Sequence, residues 1–147
     1  MFETIFANTG DLNSLLLRVI LGLVIFPHGA QKLLGWFGGY GFKGTMGFFT
    51  GTMKLPAIIA FLVIIGESFG SLALIFGLFT RFTAISIAII LLGAALLVHK
   101  DNGFFMNWYG AQKGEGYEFH ILAIGAALLL AITGAGSYSL DRLIFPL

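Results

Sequence analysis

Four long apolar stretches divide the chain, and the polar residues that interrupt them are few enough to name. A helix that spans a bilayer needs roughly 20 mainly apolar residues. The first stretch, residues 12–37, is long enough but carries Arg18, His28, Gln31 and Lys32. The second, 55–79, has Glu67 as its only charge before the link that follows. The third, 82–99, holds no Asp, Glu, Lys or Arg, and the fourth, 117–136, has Glu118 and His120 in its first turn. The pattern predicts an all-α integral membrane protein: one domain over residues 1–147, folded as an up-down bundle of four transmembrane helices.

The connections are uneven. Gly77-Leu78-Phe79-Thr80-Arg81 is a very tight link, which makes stretches two and three antiparallel neighbours. The first loop, 38–54, sets Phe42, Phe48, Phe49 and Met53 between Lys43 and Lys54, the composition of a segment lying at the interface or folded back onto the bundle. The third connection, 100–116, contains Trp108 and Tyr109, side chains that favour the headgroup level. Gly66 and Gly70, Gly93 to Ala95, and Gly125 to Ala127 are small enough to let helix backbones approach closely.

Composition settles the solvent. Hydrophobic residues make up 58% of the chain and charged residues only 10%, against about 25% charged in ordinary soluble domains. So few charges cannot cover a small globule with its high surface-to-volume ratio, so the partner of the outer faces is the lipid bilayer. The net charge of +1 comes with no basic stripe, which argues against nucleic acid. Cysteine is absent, which excludes disulfides, thiolate metal sites and iron–sulfur clusters on this chain. A redox role would therefore run through a bound cofactor or a partner protein. Met1 to Asp11 contains no Lys or Arg, so the basic start of a cleaved signal is missing and the first helix is expected to stay.

Four spans put both termini on one side, side A, together with the Arg81 link. Side B then carries the first and third loops. Lys and Arg near the spans number about three on side A and five on side B, a small bias toward side B in the cytoplasm.

Ionisable groups at membrane depth cost several kcal/mol and need a partner or a function. A rise of about 1.5 Å per residue puts Glu67 near the midplane, His28 a turn toward side B, and Lys32 a turn further. His28, Gln31 and Lys32 share one helix face through i,i+3 and i,i+4 spacing. Pro27 frees a carbonyl beside them. His99 ends the third stretch on side B, where His120 begins the fourth. The spacing thus predicts a polar pocket inside the bundle, open toward side B, with His28, Gln31, Lys32, Glu67, His99 and His120 as ligand-binding candidates.

His28 and Glu67 are the candidates for catalysis, and His28, closest in depth, is the expected partner of Glu67. Arg18 and Arg81 are expected in structural ion pairs. His99 also fits a snorkelling interfacial residue, and Glu118 with His120 also fits a polar first turn at a helix start. No two histidines share a helix face, so no metal site is expected.

These residues resemble the DoxX family of small bacterial four-helix membrane proteins. The likeness runs from about Leu15 to Leu143. It is carried by His28-Gly29-Ala30-Gln31-Lys32-Leu33 with Gly35-Trp36-Phe37-Gly38-Gly39, by Glu67 upstream of residues 77–81, and by the ending Gly134-Ala135-Gly136-Ser137-Tyr138-Ser139-Leu140-Asp141. The resemblance implies a multi-pass protein of the bacterial inner membrane. It also implies a place in a redox system, since the family takes its name from a quinone-reducing membrane oxidoreductase; other members look like scaffolds for soluble redox or stress enzymes.

The expectation that follows is a membrane subunit of a redox system, possible as a quinone-linked oxidoreductase subunit. It would bind a quinone or similar lipophilic ligand non-covalently, with a soluble redox partner and self-association both open. The alternatives are a non-enzymatic scaffold or assembly factor and, behind it, a small ion or solute transporter.

Overall fold

A computed structural model of the chain describes residues 10–145. The segment that bears on a cleaved signal therefore lies almost wholly outside the described residues, as do the last two residues. The chain forms α1 (Gly10–Leu33), α2 (Gly41–Gly47) running into a π-turn at Phe48–Thr52, α3 (Ala57–Phe76), α4 (Thr80–Ala94), α5 (Glu118–Thr133) and a short α6 (Leu140–Ile144). A π-turn at Ala95–His99 and a 3-10 turn at Lys100–Asn102 extend α4. The long helices close a ring in which α1 packs on α3, α3 on α4, α4 on α5, and α5 back on α1. Ser14 of α1 meets Thr133 of α5, and Arg81 of α4 meets Ala131 of α5, so these neighbours run antiparallel. The bundle is up-down, as the hydrophobic pattern predicts.

Glycine and proline set the helix ends. Pro56 precedes α3 and presets its entry, and Gly77 at φ 68° ends it in the left-handed conformation that glycine adopts at little cost. The first helix stops at Leu33, short of residue 37, because Gly35 at φ 76° turns the chain into a separate 3-10 turn at Trp36–Gly38. α1 runs through Pro27 without interruption.

The core is a column of Leu21, Ile25, Leu74, Ile87, Leu91 and Leu130. Outside it the helices stay apolar: Ile20, Leu62, Phe82, Ile89, Leu122 and Ile132 all point outward. No more than 33% of any of the three longest spans is buried inside the bundle. An apolar exterior of this extent belongs in lipid, and the chain is a helical-bundle membrane protein.

The first loop folds back onto the bundle. Phe49 is buried against Ala60 and Ile64 with Leu33, Met46 and Met53 around it, while Tyr40 and Phe48 stay exposed.

Backbones approach most closely between α1 and α3. A Cβ on Gly29 would stand 2.6 Å from the Ser68 backbone, and one on Gly22 2.7 Å from Ser71 O. Gly66 and Gly70 face Ile90 and Ile87 of α4, as small residues at a helix crossing should. Gly93 and Gly125 do not: within 4 Å of either there is open space, so these two do not mediate a close approach inside the bundle.

Candidate functional site

The tight crossing of α1 and α3 places the polar residues of both helices. Gly29 lets the α1 backbone reach Ser68, whose hydroxyl donates to Gly29 O at 3.1 Å. One residue before Ser68, Glu67 turns inward with 7% of its surface exposed. Lys32 Nζ lies 2.5 Å from Glu67 Oε2 and 3.5 Å from His28 O. A charge pair at this separation and burial is strong, and removing one member would leave an uncompensated charge in an apolar bundle.

The partner of Glu67 is thus Lys32 rather than His28. Depth alone favours the histidine, but the lysine stem is long enough to span a turn of helix. His28 instead sits on the exposed surface, within electrostatic reach of Lys32 and Glu67.

Gln31 points elsewhere. Its amide donates to Phe37 O at 3.2 Å, and the backbone of Gly39 packs so closely on Gln31 that a Cβ there would stand 2.2 Å from Gln31 O. The run from His28 to Gly39 therefore divides its labour. Gly29 sets the helix crossing, Gln31 pins the following turn, and Lys32 meets Glu67.

The other two histidines come together at the starts of the third loop and of α5. The rings of His99 and His120 stack with centroids 4.3 Å apart and planes tilted by 38°. His99 Nδ1 lies 2.9 Å from Glu115 O. A carbonyl only accepts, so this nitrogen carries the proton, and Nε2 of a neutral ring is left as an acceptor. His120 is 7% exposed, and its Nδ1 is buried without a hydrogen-bond partner. His28 and His99 both lie within electrostatic reach of His120. Among the described residues, no three of His, Asp and Glu converge as a metal-ligand set.

Glu118 does not enter this group. Its carboxylate accepts from Met106 N at 2.8 Å, and Glu115 accepts from Asn107 N at 2.7 Å, so both acids clamp the third loop.

The opposite end of the bundle is built around Arg18, which the spacing places in a structural ion pair. The guanidinium is 2% exposed and donates to the carbonyls of Leu74 (3.2 Å), Ile75, Ala135 (3.3 Å) and Tyr138. Two of these are carbonyls in the last turn of α3, of which Leu74 O also accepts from Gly77 N at 3.1 Å. Arg81 likewise donates to a carbonyl, Ala131 O at 3.2 Å. Both arginines therefore cap backbone; the carboxylate nearest in effect to Arg18 is Asp141.

Asp141 itself is a residue that span-by-span reading passes over. It accepts from Phe79 N at 2.6 Å and Thr80 N at 2.8 Å, while its own N donates to Gly77 O. It caps α4 from 61 and 62 residues away, which holds Phe79 at φ 47°. Its mark in the sequence is the acidic residue that closes the ending at 134–141.

Residues 14–100 match the DoxX family profile. The chain belongs to the DoxX family. It is 33% identical over 135 residues to "Putative oxidoreductase CatD" of Bacillus subtilis, covering 92% of this chain and 89% of that protein. It is 33% identical over 134 residues to the inner membrane protein YqjF of Escherichia coli, covering 91% and 93% respectively. The inner membrane protein YphA of the same organism is 28% identical over 131 residues, 87% of each chain. No solved structure matches. Membership and the apolar helices together make this a bacterial membrane protein.

Proposed function

We propose that this DoxX-family chain is the membrane subunit of a redox system in the bacterial plasma membrane, with both termini on one side. Its ligand would be a quinone or similar lipophilic ring compound held near Lys32, Glu67 and the three histidines. The observation that carries the reading is a buried ion pair, Lys32 with Glu67, in a bundle where His120 Nδ1 is buried without a hydrogen-bond partner. A buried unsatisfied polar atom costs about 1–3 kcal/mol, and a bound molecule that hydrogen-bonds to His120 Nδ1 removes that cost.

The donor set fits a ring with oxygen substituents. Lys32 has three N–H groups, of which Glu67 takes one and His28 O draws weakly on another. The remaining donor can meet a ring oxygen. Glu67 holds the ammonium in place. His28 lies on the exposed surface one turn before Lys32, and His99 is half-buried beside the third loop. A quinone, when bound, supplies the electron-carrying chemistry that these side chains lack. The word oxidoreductase in the name given to CatD supports the same reading.

A scaffold reading draws on the third loop. It is clamped by Glu115 and Glu118 yet leaves Trp108 79% and Tyr109 96% exposed, a fixed aromatic surface that a soluble redox partner could meet.

Extraction in mild detergent followed by mass spectrometry of the solvent extract tests the proposal. Near-stoichiometric quinone is expected with the native chain. In His120→Ala, and in the charge-free Lys32→Met/Glu67→Leu chain, it should fall about tenfold. Phospholipid alone in all three preparations would overturn the quinone reading and leave the scaffold.

A further inference from the structure

A concavity with both polar and apolar walls lies at the Arg18 end, away from the histidines. It is a groove of about 610 Å³ between the first turn of α4 and the segment 134–142. That is within the ~300–1,000 Å³ typical of ligand sites. Arg81 lies on one wall and Arg142 on the other. Gly134 permits the first: a Cβ there would stand 3.3 Å from Arg81 Nε and 3.4 Å from Nη2, so the guanidinium lies flat along a backbone without side chains.

Among the described residues, Asp141 is the one acid in the lining of the groove. Both its oxygens are engaged by the N–H groups of Phe79 and Thr80, and the buried Arg18 acts on it electrostatically. Asp141 is thereby balanced from behind, and Arg81, which donates to the Ala131 carbonyl and meets no carboxylate among the described residues, makes its wall of the groove positive. Thr80, also in the lining, is fully buried, and its Oγ1 has no hydrogen-bond partner.

The rim is apolar. Phe79, Phe82 and Phe145 border the groove with 57%, 74% and 48% of their surfaces exposed. Below them the outward faces of α4 and α5 continue with Ile85, Ile89 and Ile132, all exposed. The groove stands where these membrane spans begin and end, hence at headgroup depth. Guanidinium groups bind phosphate through paired N–H donors. We infer that this groove is a binding site for the phosphate headgroup of an anionic phospholipid, whose acyl chains lie along α4 and α5. A soluble phosphate would have no use for the aromatic rim.

Native mass spectrometry of the purified full chain tests this, with added phosphatidylglycerol or phosphatidylcholine of the same acyl chains, or inorganic phosphate. The native chain should retain phosphatidylglycerol about tenfold better than phosphatidylcholine. Arg81→Gln/Arg142→Gln should erase that preference, and so should Ser137→Glu, which adds a negative charge at an exposed position of the lining without touching the arginines. Lys54→Gln in the first loop should keep it. Equal retention of the two lipids by the native chain, or an unchanged preference in Ser137→Glu, would overturn the inference. So would retention of inorganic phosphate without a lipid preference. Quinone content is a separate readout, so failure here leaves the redox proposal where it stood.

Discussion

Arg18 and Lys32 stand near opposite ends of α1, each a cation turned toward α3, and they are treated differently. Arg18 donates to four carbonyls drawn from α3 and from the chain after α5, and is almost completely enclosed. Lys32 meets one carboxylate, keeps 23% of its side chain exposed, and lies at the end where His120 has an unpartnered nitrogen. A guanidinium in a fixed fork saturates the backbone groups left over at helix ends. An ammonium on a flexible stem leaves donors to offer. The first arrangement spends four of its five N–H donors on backbone carbonyls and serves the fold. The second is incomplete, and incompleteness in a buried polar group is what a binding site requires.

The comparison breaks most severely at Arg18. Arg18→Met should cost on the order of 4 kcal/mol, because it removes a donor shared by carbonyls of two chain segments in an apolar interior. Thermal unfolding in detergent should register the largest loss of any variant considered, and Arg18→Lys should recover only a minor part. A melting temperature within a few degrees of the native chain would mean that the carbonyls find other donors.

Lys32 and Glu67 should show coupling instead. Lys32→Met and Glu67→Leu should each cost about 3 kcal/mol, and the double change much less than their sum. A double-mutant cycle in the same unfolding assay reads this directly, and additive losses would show that the two charges do not hold each other.

The smallest effects sharpen the geometry between the two ends. Gly29→Ala forces a methyl group into the Ser68 backbone and should cost about 2 kcal/mol. Gly93→Ala meets open space and removes a helix-interior glycine, for a gain of about 0.5–1 kcal/mol. Equal effects at the two positions would contradict the close crossing of α1 and α3.

Much of this fold was legible in the chain because hydropathy records where lipid lies, and four apolar runs leave few ways to pack. Depth was legible too, since the rise of a helix is fixed: Glu67 falls at the middle of α3, and His28 and Lys32 lie toward the end of α1. What depth omits is rotation about the helix axis and the reach of a side chain. Those two variables turn His28 outward and bring Lys32 to Glu67. The Arg18 end was harder to read for another reason. Its acceptors are backbone carbonyls, which every residue has, and its organising acid, Asp141, comes from beyond the last span. The closeness of α1 to α3 was written in Gly22 and Gly29, seven residues apart, but only next to Ser68 and Ser71 does that spacing gain meaning.

The length of α5 has a consequence of a different kind. Its 16 residues rise about 24 Å, whereas α3 has 20 residues and α1 has 24. A hydrocarbon layer is about 30 Å thick, so lipid beside α5 must thin or the bundle must lean. The protein therefore wears an asymmetric collar of distorted bilayer.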